Sequence, residues 1–381
     1  MDAGTEASQP TGLFVGLSAL DVIQLVERVP GPDQKVTALD LAVAAGGPAA
    51  NAAVVFAALG GRATLVTRLG QDPAGSLVKA DLAAHGVEVQ VAPAMGQVST
   101  TLASIMVTAA TGERAVVSAT DQGRSYRAAT GAAHANLEPD AGNASPNRDS
   151  ATTSTNYDPA PTTPDRDSDP TTPNRDPDPT TPGPNAADLM ARIRPQVVLV
   201  DSHETDISIP ITQAARAASV PVVMDCGAKK PWTARQLPFI DCAVVSAAYL
   251  PGGAEVIAGD LRGQGVGFGA VTDGGGPVTY WTSLDGPLGS VPTRSVKVVD
   301  SLAAGDFFHG ALAFAMASDS MAAGSPAIAR DSVATGSLTI AQDGPAVGSF
   351  AGQLAFAAGV AAQSVQEFGS RSWLAQLVAT Q

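Results

Sequence analysis

Short unbroken apolar runs alternate along this chain with longer stretches in which apolar residues recur at helical spacing. The runs at 12–18, 63–69, 197–201, 221–225, 241–246 and 267–272 show little polar alternation, as expected of strands covered on both faces. Helices are predicted at 48–59, 73–85, 207–218, 304–318 and 350–364. The second of these opens on Asp72 as N-cap, followed by Pro73, a residue suited to the first turn. Three further runs, at 35–43, 102–108 and 114–118, alternate apolar and polar residues like half-exposed antiparallel strands. Apolar strands interleaved with helices predict an α/β fold around a mainly parallel sheet. The half-exposed strands predict a small separate lid.

One apolar stretch needs its own explanation. No charged residue occurs between Asp40 and Arg62, a length sufficient to cross a bilayer. Gly46, Gly47 and Pro48 interrupt it and Asn51 sits near its middle, so a buried loop leading into a core helix is expected instead of a membrane span. The opening MDAGTEASQP is polar and acidic, without the apolar segment of a secretory signal, and a cytoplasmic protein is expected.

The pattern fails over 128–185, where Pro, Thr, Asp, Asn and Ser dominate and Tyr157 is the one aromatic residue. A short unit recurs there as Pro146-Asn147-Arg148-Asp149, Pro164-Asp165-Arg166-Asp167 and Pro173-Asn174-Arg175-Asp176. Such a composition buries too little apolar surface to offset the entropy of ordering, so a disordered insert is expected. A milder interruption at 319–346, rich in Gly, Ala and Ser, is read as a low-complexity insert between two helices. What remains, 1–127 and 186–381, is the size of one domain, with lid strands within about 34–45 and 87–118.

Composition sharpens this picture in two ways. The net charge of −14 argues against a general nucleic-acid binder, and nine acidic residues against three arginines in 128–185 supply −6 of it. Much of the acidity is therefore a property of the insert. Cys226 and Cys242 cannot make a disulfide scaffold and have no histidine at metal-ligand spacing, so they are read as buried hydrophobes of a reduced protein, and no metal ligand is assigned.

No G-x-x-x-x-G-K-[ST] loop, G-x-S-x-G elbow or H-E-x-x-H occurs, and the glycines at 263–267 precede a strand where a dinucleotide fingerprint would follow one. The strongest chemical feature is Val298-Val299-Asp300-Ser301-Leu302-Ala303-Ala304-Gly305-Asp306-Phe307-Phe308-His309-Gly310-Ala311-Leu312. Two valines are expected to end a strand, small residues to make a tight turn, and an apolar helix to begin there. Small side chains at Ala303, Ala304 and Gly305 let backbone N–H groups approach a ligand, and a helix N-terminus suits a phosphate. Asp306, in the first turn, either takes a proton from a hydroxyl beside that anion site or caps the helix and complements its dipole. Local spacing leaves both readings open.

The stretch Asp300-Ser301-Leu302-Ala303-Ala304-Gly305-Asp306, followed by Gly310-Ala311-Leu312, resembles the second signature of the PfkB (ribokinase-like) sugar kinases. Gly46-Gly47-Pro48-Ala49-Ala50-Asn51, continuing through Leu59-Gly60 to Arg68-Leu69-Gly70-Gln71-Asp72-Pro73-Ala74-Gly75, resembles the first. The opening Gly16-Leu17-Ser18-Ala19-Leu20-Asp21 is similar to the family's first strand and its substrate-binding Asp, and within the family the appearance is closest to ketohexokinases and sulfofructose kinases. The resemblance implies a three-layer α/β/α sandwich with a mainly parallel central sheet and a small β-sheet lid. It implies transfer of the γ-phosphate of ATP to a hydroxyl of a small carbohydrate, with Mg²⁺. Asp306 is then the general base, and Ala303, Ala304, Gly305 and the Asp306 amide form the anion hole. Asp21, Gly46, Gly47 and Asn51 hold substrate hydroxyls, while Ser246, Thr272, Gly274 and Asp300 lie at the nucleotide. Pairing of lid edges implies a possible homodimer.

The chain also departs from the family. Ser246 and Tyr249 stand where the Asn and Glu of N-x-x-E are expected, and the C-terminal loop is shortened to Glu367-Phe368-Gly369-Ser370-Arg371, which leaves K⁺ dependence open. Two other functions are weighed: a nucleoside kinase on the same scaffold, which wants an aromatic wall that the lid segments lack, and a catalytically weak sugar- or nucleotide-binding sensor. His309 is read chiefly as a packing residue of the helix face, with approach to the site as the other reading. Arg68 and Arg114 are read as reaching a charged substrate or as surface ion-pair partners.

Overall fold

The computed structural model describes residues 9–93, 98–119, 185–323 and 349–379. In chain order the strands are β1 (Thr11–Val15), β2 (Ala19–Val26), β3 (Asp40–Gly46), β4 (Arg62–Thr67), β5 (Val87–Val91), β6 (Thr101–Thr108) and β7 (Arg114–Ala119). They continue as β8 (Val197–Asp201), β9 (Val222–Cys226), β10 (Cys242–Ser246), β11 (Phe268–Thr272), β12 (Val278–Trp281) and β13 (Gly289–Val291). The helices are α1 (Pro48–Ala58), α2 (Pro73–Ala84), α3 (Ala186–Ile193), α4 (Thr205–Ala217), α5 (Thr233–Gln236), α6 (Ala254–Gly263), α7 (Ala304–Ala323), α8 (Phe350–Ser364) and α9 (Leu374–Ala379).

The large sheet has the order β13-β12-β11-β10-β9-β8-β1-β4-β5 and is parallel from β5 to β11, with β12 and β13 antiparallel at one edge. Its apolar strands are covered on both sides because alternate residues enter two different cores. Phe14 packs with Phe56, Leu312 and Leu354 on the side of α1, α7 and α8, whereas Leu13 and Val15 pack with Leu189, Ile211 and Ile257 on the side of α3, α4 and α6. Three layers result. The uncharged run of 41–61 ends in α1, whose residues Ala49 to Phe56 are all buried, and among the described residues no helix is long and apolar enough to cross a membrane.

The lid is a second sheet of order β3-β2-β6-β7. Its strand β6 alternates as the sequence implies, with Thr101, Ala103, Ile105 and Val107 turned inward. Several boundaries differ from expectation. Residues 35–39 form no strand, and β3 instead runs from Asp40 to Gly46, paired to β2, a strand just beyond the predicted run of 12–18. The segment 87–91, placed in the lid by its position in the chain, is β5 at the edge of the large sheet, parallel to β4. Its neighbour α2 carries the chain back over the sheet, so a parallel partner follows from the crossover. Helix α7 runs on to Ala323, so 319–323 are helical, not an insert; the remainder of that segment, 324–346, lies outside the described residues. Of 128–185 only Asn185 is described, where its side chain accepts from the Ala187 and Asp188 amides and caps α3. All described residues belong to one of two compact units, and the other unit, Tyr126–Arg175, lies outside them.

Candidate active site

The anion-turn candidate lies where the chain enters α7. Val298 and Val299 do not end a strand; the Val299 and Asp300 amides donate to Val365 O at 2.7 and 3.2 Å, which ties this extended segment to the end of α8. Asp300 is buried and its carboxylate is taken by protein amides, Oδ1 by Leu302 N–H at 2.8 Å and Oδ2 by Gly369 N–H at 3.0 Å. Ser301 Oγ donates to Gly112 O at 2.8 Å, which docks the lid's β6–β7 turn on the same loop. Ala303 adopts φ 60, a left-handed conformation that costs a non-glycine residue about 1–2 kcal/mol. The first helical bond of α7 is Phe307 N–H to Ala303 O at 2.9 Å, so the amides of Ala304, Gly305 and Asp306 precede it and have no intrahelical acceptor. A Cβ added at Gly305 would meet nothing within 4 Å, so the space beside this turn is open.

Asp306 stands at that turn. Its Oδ2 accepts from Asn51 Nδ2 at 2.8 Å. Helix packing explains how these two side chains meet. A Cβ on Gly310, one turn beyond Asp306, would lie 2.3 Å from Ala52 O, so α7 and α1 approach at backbone distance beside Asn51. Burial pushes the Asp306 carboxyl up to about 7, helped by the nearby Asp225 carboxylate and opposed by the Asn51 bond, His309 and Arg114. A carboxyl poised near neutrality is the outcome.

Asp21, from β2, is buried and is also pushed up to about 7, first by burial and then by the Asp306 carboxylate, while Arg371 opposes. Gly46 is the reason it fits: a Cβ there would sit 2.0 Å from Asp21 Oδ2. Gly47 has φ 97 and no room for a side chain, with Leu17 O at 2.3 Å from a built Cβ. Asp21, Gly46, Gly47, Asn51, Ala303, Ala304, Gly305 and Asp306 thus come together where the lid meets the large sheet. Ser246 and Thr272 face each other at the ends of β10 and β11, with Gly274 beyond in a left-handed turn. Ser246 Oγ accepts the Ala248 amide at 2.9 Å, and Tyr249 is buried in the apolar core.

Other expectations resolve here. Arg68 is held by Glu204 and Asp206, an ion-pair role. Arg114 Nη1 donates to Ser301 O at 2.8 Å. His309 is buried, its Nδ1 2.5 Å from Gly305 O and its Nε2 3.0 Å from Val244 O, so it packs under the site. Cys226 and Cys242 are buried, and burial pushes both thiols up, Cys226 to about 11.

Three residues escaped sequence reasoning. Asp201 accepts the Leu17 and His203 amides at 2.8 and 2.7 Å and occupies the space that a Cβ on Gly16 would need. Asp225 is buried, with Oδ2 3.3 Å from His309 Nδ1 and no hydrogen-bond donor among the described residues. Both aspartates close otherwise apolar parallel strands at the end where open α/β sheets bind ligands, and that was the legible signal. Arg371 donates to Asn51 Oδ1 at 3.1 Å from a short C-terminal loop, and no local pattern marked it.

Comparison with known proteins bears on the fold. Residues 12–138 match the model of the pfkB family carbohydrate kinases. A ribokinase of Dictyostelium discoideum is 43% identical over 61 residues, 16% of this chain, and the chain spans about a fifth (19%) of that relative's length. A ribokinase structure from Giardia lamblia superposes with a TM-score of 0.64 at 16% identity, covering 97% of this chain and 99% of that one. The Arabidopsis thaliana ribokinase complexed with ribose and ATP gives 0.59 at 19% identity, covering 98% and 100%. The chain therefore carries the pfkB family carbohydrate kinase match over 12–138 and the ribokinase-like fold over its whole described length.

Proposed function

We propose that the protein is an ATP-dependent kinase that transfers the γ-phosphate of ATP to a hydroxyl of a small carbohydrate, a phosphotransferase with an alcohol acceptor. The observation that carries this reading is Asp306, raised to about 7 and held by Asn51 beside the unpaired first-turn amides of α7. Asp306 takes the proton of the acceptor hydroxyl as its oxygen attacks the γ-phosphorus in line; the phosphorus–oxygen bond to the β-phosphate breaks and ADP leaves. The amides of Ala303, Ala304, Gly305 and Asp306 stabilise the charge on the transferring group. Asp21, Gly46, Gly47 and Asn51 hold the acceptor, since a carboxylate and a carboxamide together match hydroxyls that both donate and accept. Ser246, Thr272 and Gly274 border the nucleotide, and Asp300 serves it by fixing the turn. Residues 1–127 and 186–381 make up this kinase domain. The reading draws support from the Arabidopsis thaliana ribokinase of the same fold, solved with ribose and ATP.

Mg²⁺ fits the site through Asp225, a buried carboxylate whose Oδ2 has no hydrogen-bond donor among the described residues; Ser246 and Tyr249 offer no carboxylate. When bound, the ion supplies neutralisation of phosphate charge. In the lid, Val43, Val22, Ser104 and Val117 form one cross-strand row, with Val43 and Val117 exposed at 52% and 73%, and this apolar outer face supports a homodimer through the lid. The reading places the protein in the cytoplasm, where ATP is available.

An ATP-consumption screen against ketoses, aldopentoses, sulfosugars and nucleosides tests it, with Asp306→Asn as control. Turnover with a sugar that Asp306→Asn abolishes, with the fold and ATP binding kept, is expected. Near-normal turnover in the variant overturns the mechanism, a nucleoside preference overturns the acceptor class, and ligand binding without turnover points to a sensor.

A further inference from the structure

Arg371 reaches the Asp306–Asn51 pair from the C-terminal loop, and its guanidinium makes four hydrogen bonds to protein acceptors. Nη1 donates to Asn51 Oδ1 and Ser370 O, both at 3.1 Å, Nη2 to Ala45 O at 2.6 Å, and Nε to Asp81 Oδ2 at 3.3 Å. Asp81 Oδ2 also lies 3.2 Å from Nη2 and accepts the Ala45 amide at 3.0 Å. A guanidinium so placed is committed chiefly to the protein, with Asp81 beside its remaining hydrogen. It does have a consequence for Asn51. Arginine only donates, so it requires the oxygen of the Asn51 carboxamide; the amino end is then left for Asp306, which as a carboxylate only accepts. The reversed amide would put NH₂ against the guanidinium and oxygen against the carboxylate, two repulsive contacts in a buried site.

We infer that Arg371 is a positioning residue: it locks the Asn51 carboxamide in the one orientation that donates to Asp306, and so aims the base from the C-terminal loop. The same side chain ties Ala45, the residue before Gly46 and Gly47, to α2 through Asp81, so the loop, the root of the lid and the base share one fixed point. This inference rests on the proposed phosphoryl transfer only for its kinetic consequence.

The test has two arms on the full-length protein. The first needs no activity: solvent exchange of the Asn51 Nδ2 protons, followed by NMR, is expected to be at least tenfold faster in Arg371→Met than in the unaltered chain. Unchanged exchange overturns the inference. The second reads kinetics with the best acceptor. Arg371→Met lowers kcat at least tenfold while KM for ATP moves less than twofold, and in an Asn51→Ala background the same change lowers kcat less than twofold, because its effect runs through Asn51. Equal losses in both backgrounds overturn it as a merely structural effect. Should Arg371→Met fail to fold, Arg371→Lys carries both arms, since it keeps the charge but cannot reach Asn51, Ala45 and Asp81 together. If no acceptor is turned over, the proposed function fails and the exchange arm still decides the role of Arg371.

Discussion

Asn51 Nδ2 and Asp306 Oδ2 share a 2.8 Å hydrogen bond across 255 positions of sequence. The bond joins the first turn of one helix to the first turn of another, and the two helices approach so closely because Gly310 faces the backbone of Ala52. Position of the Asp306 carboxylate is therefore a packing property as much as a local one.

Gly310→Ala tests that dependence. Its Cβ would meet the Ala52 carbonyl at 2.3 Å, and backbone cannot swing aside as a side chain can. Overpacking of this kind costs about 1–3 kcal/mol. Denaturant unfolding is expected to show a loss in that range, accompanied by a fall in kcat; an unaffected midpoint would show that the helices have slack.

Gly46→Ala has a different signature. The atom it would strike, 2.0 Å away, is the carboxylate end of Asp21, which can rotate away from its place. Sugar KM is expected to rise about tenfold, the worth of one good hydrogen bond to a charged group, with KM for ATP unchanged. Parallel changes in both constants would remove Asp21 from the acceptor side.

Ala303→Gly should stabilise the protein. It relieves a left-handed alanine worth about 1–2 kcal/mol against an added chain-entropy cost of roughly 0.5–1 kcal/mol. A melting temperature that rises or holds, with turnover kept, is expected; a clear drop would mean that the Ala303 methyl packs more than it strains.

Acid should silence the enzyme. Asp306 works as a base only when ionised and its carboxyl sits at about 7, so kcat/KM is expected to fall about tenfold for each pH unit below that value. A profile flat down to pH 5 would exclude Asp306 as the base.

Stability should move the opposite way. Asp225, also pushed up to about 7 by burial and by the Asp201 carboxylate, binds its proton in the folded chain over a range where the unfolded chain has lost it. Its contribution is therefore fully present below about pH 4, the unfolded value, and is lost as pH rises through about 7. Asp225→Asn, which cannot ionise, should melt higher than the unaltered protein at pH 8, with the gap shrinking by pH 5. A gap independent of pH would show that Asp225 is not the titrating group.

Much of this was legible in the sequence because it depends on neighbours in the chain. Unbroken apolar runs such as Val197–Asp201 specify strands buried on both faces; Asp72 before Pro73 specifies a capped helix, and its Oδ1 does accept the Gly75 amide at 2.7 Å. The small residues before Asp306 specify a turn that exposes amides. The paired glycines at 46 and 47 mark places where only hydrogen fits, though what fills the space, Asp21 and Leu17 O, is seen only in the fold. Short strands such as β13, three residues long in a glycine-rich stretch, carry too little periodicity to be read.

The sequence by itself determined the doubly buried strands, the small-residue turn and the carboxylate in its first helical turn, since each follows from steric and hydrogen-bonding demands of adjacent residues. Tertiary structure alone decided which side chains share the site. Arg371 reaches Asn51 across 320 positions, and Asp225 reaches His309 only because helix α7 packs beside the C-terminal end of β9. It also decided that 87–91 belongs to the large sheet and that Asp300 is spent on its own loop. The physical reason is that strand partners, carboxyl protonation and amide orientation depend on burial and on charges brought together by folding, none of which local spacing encodes.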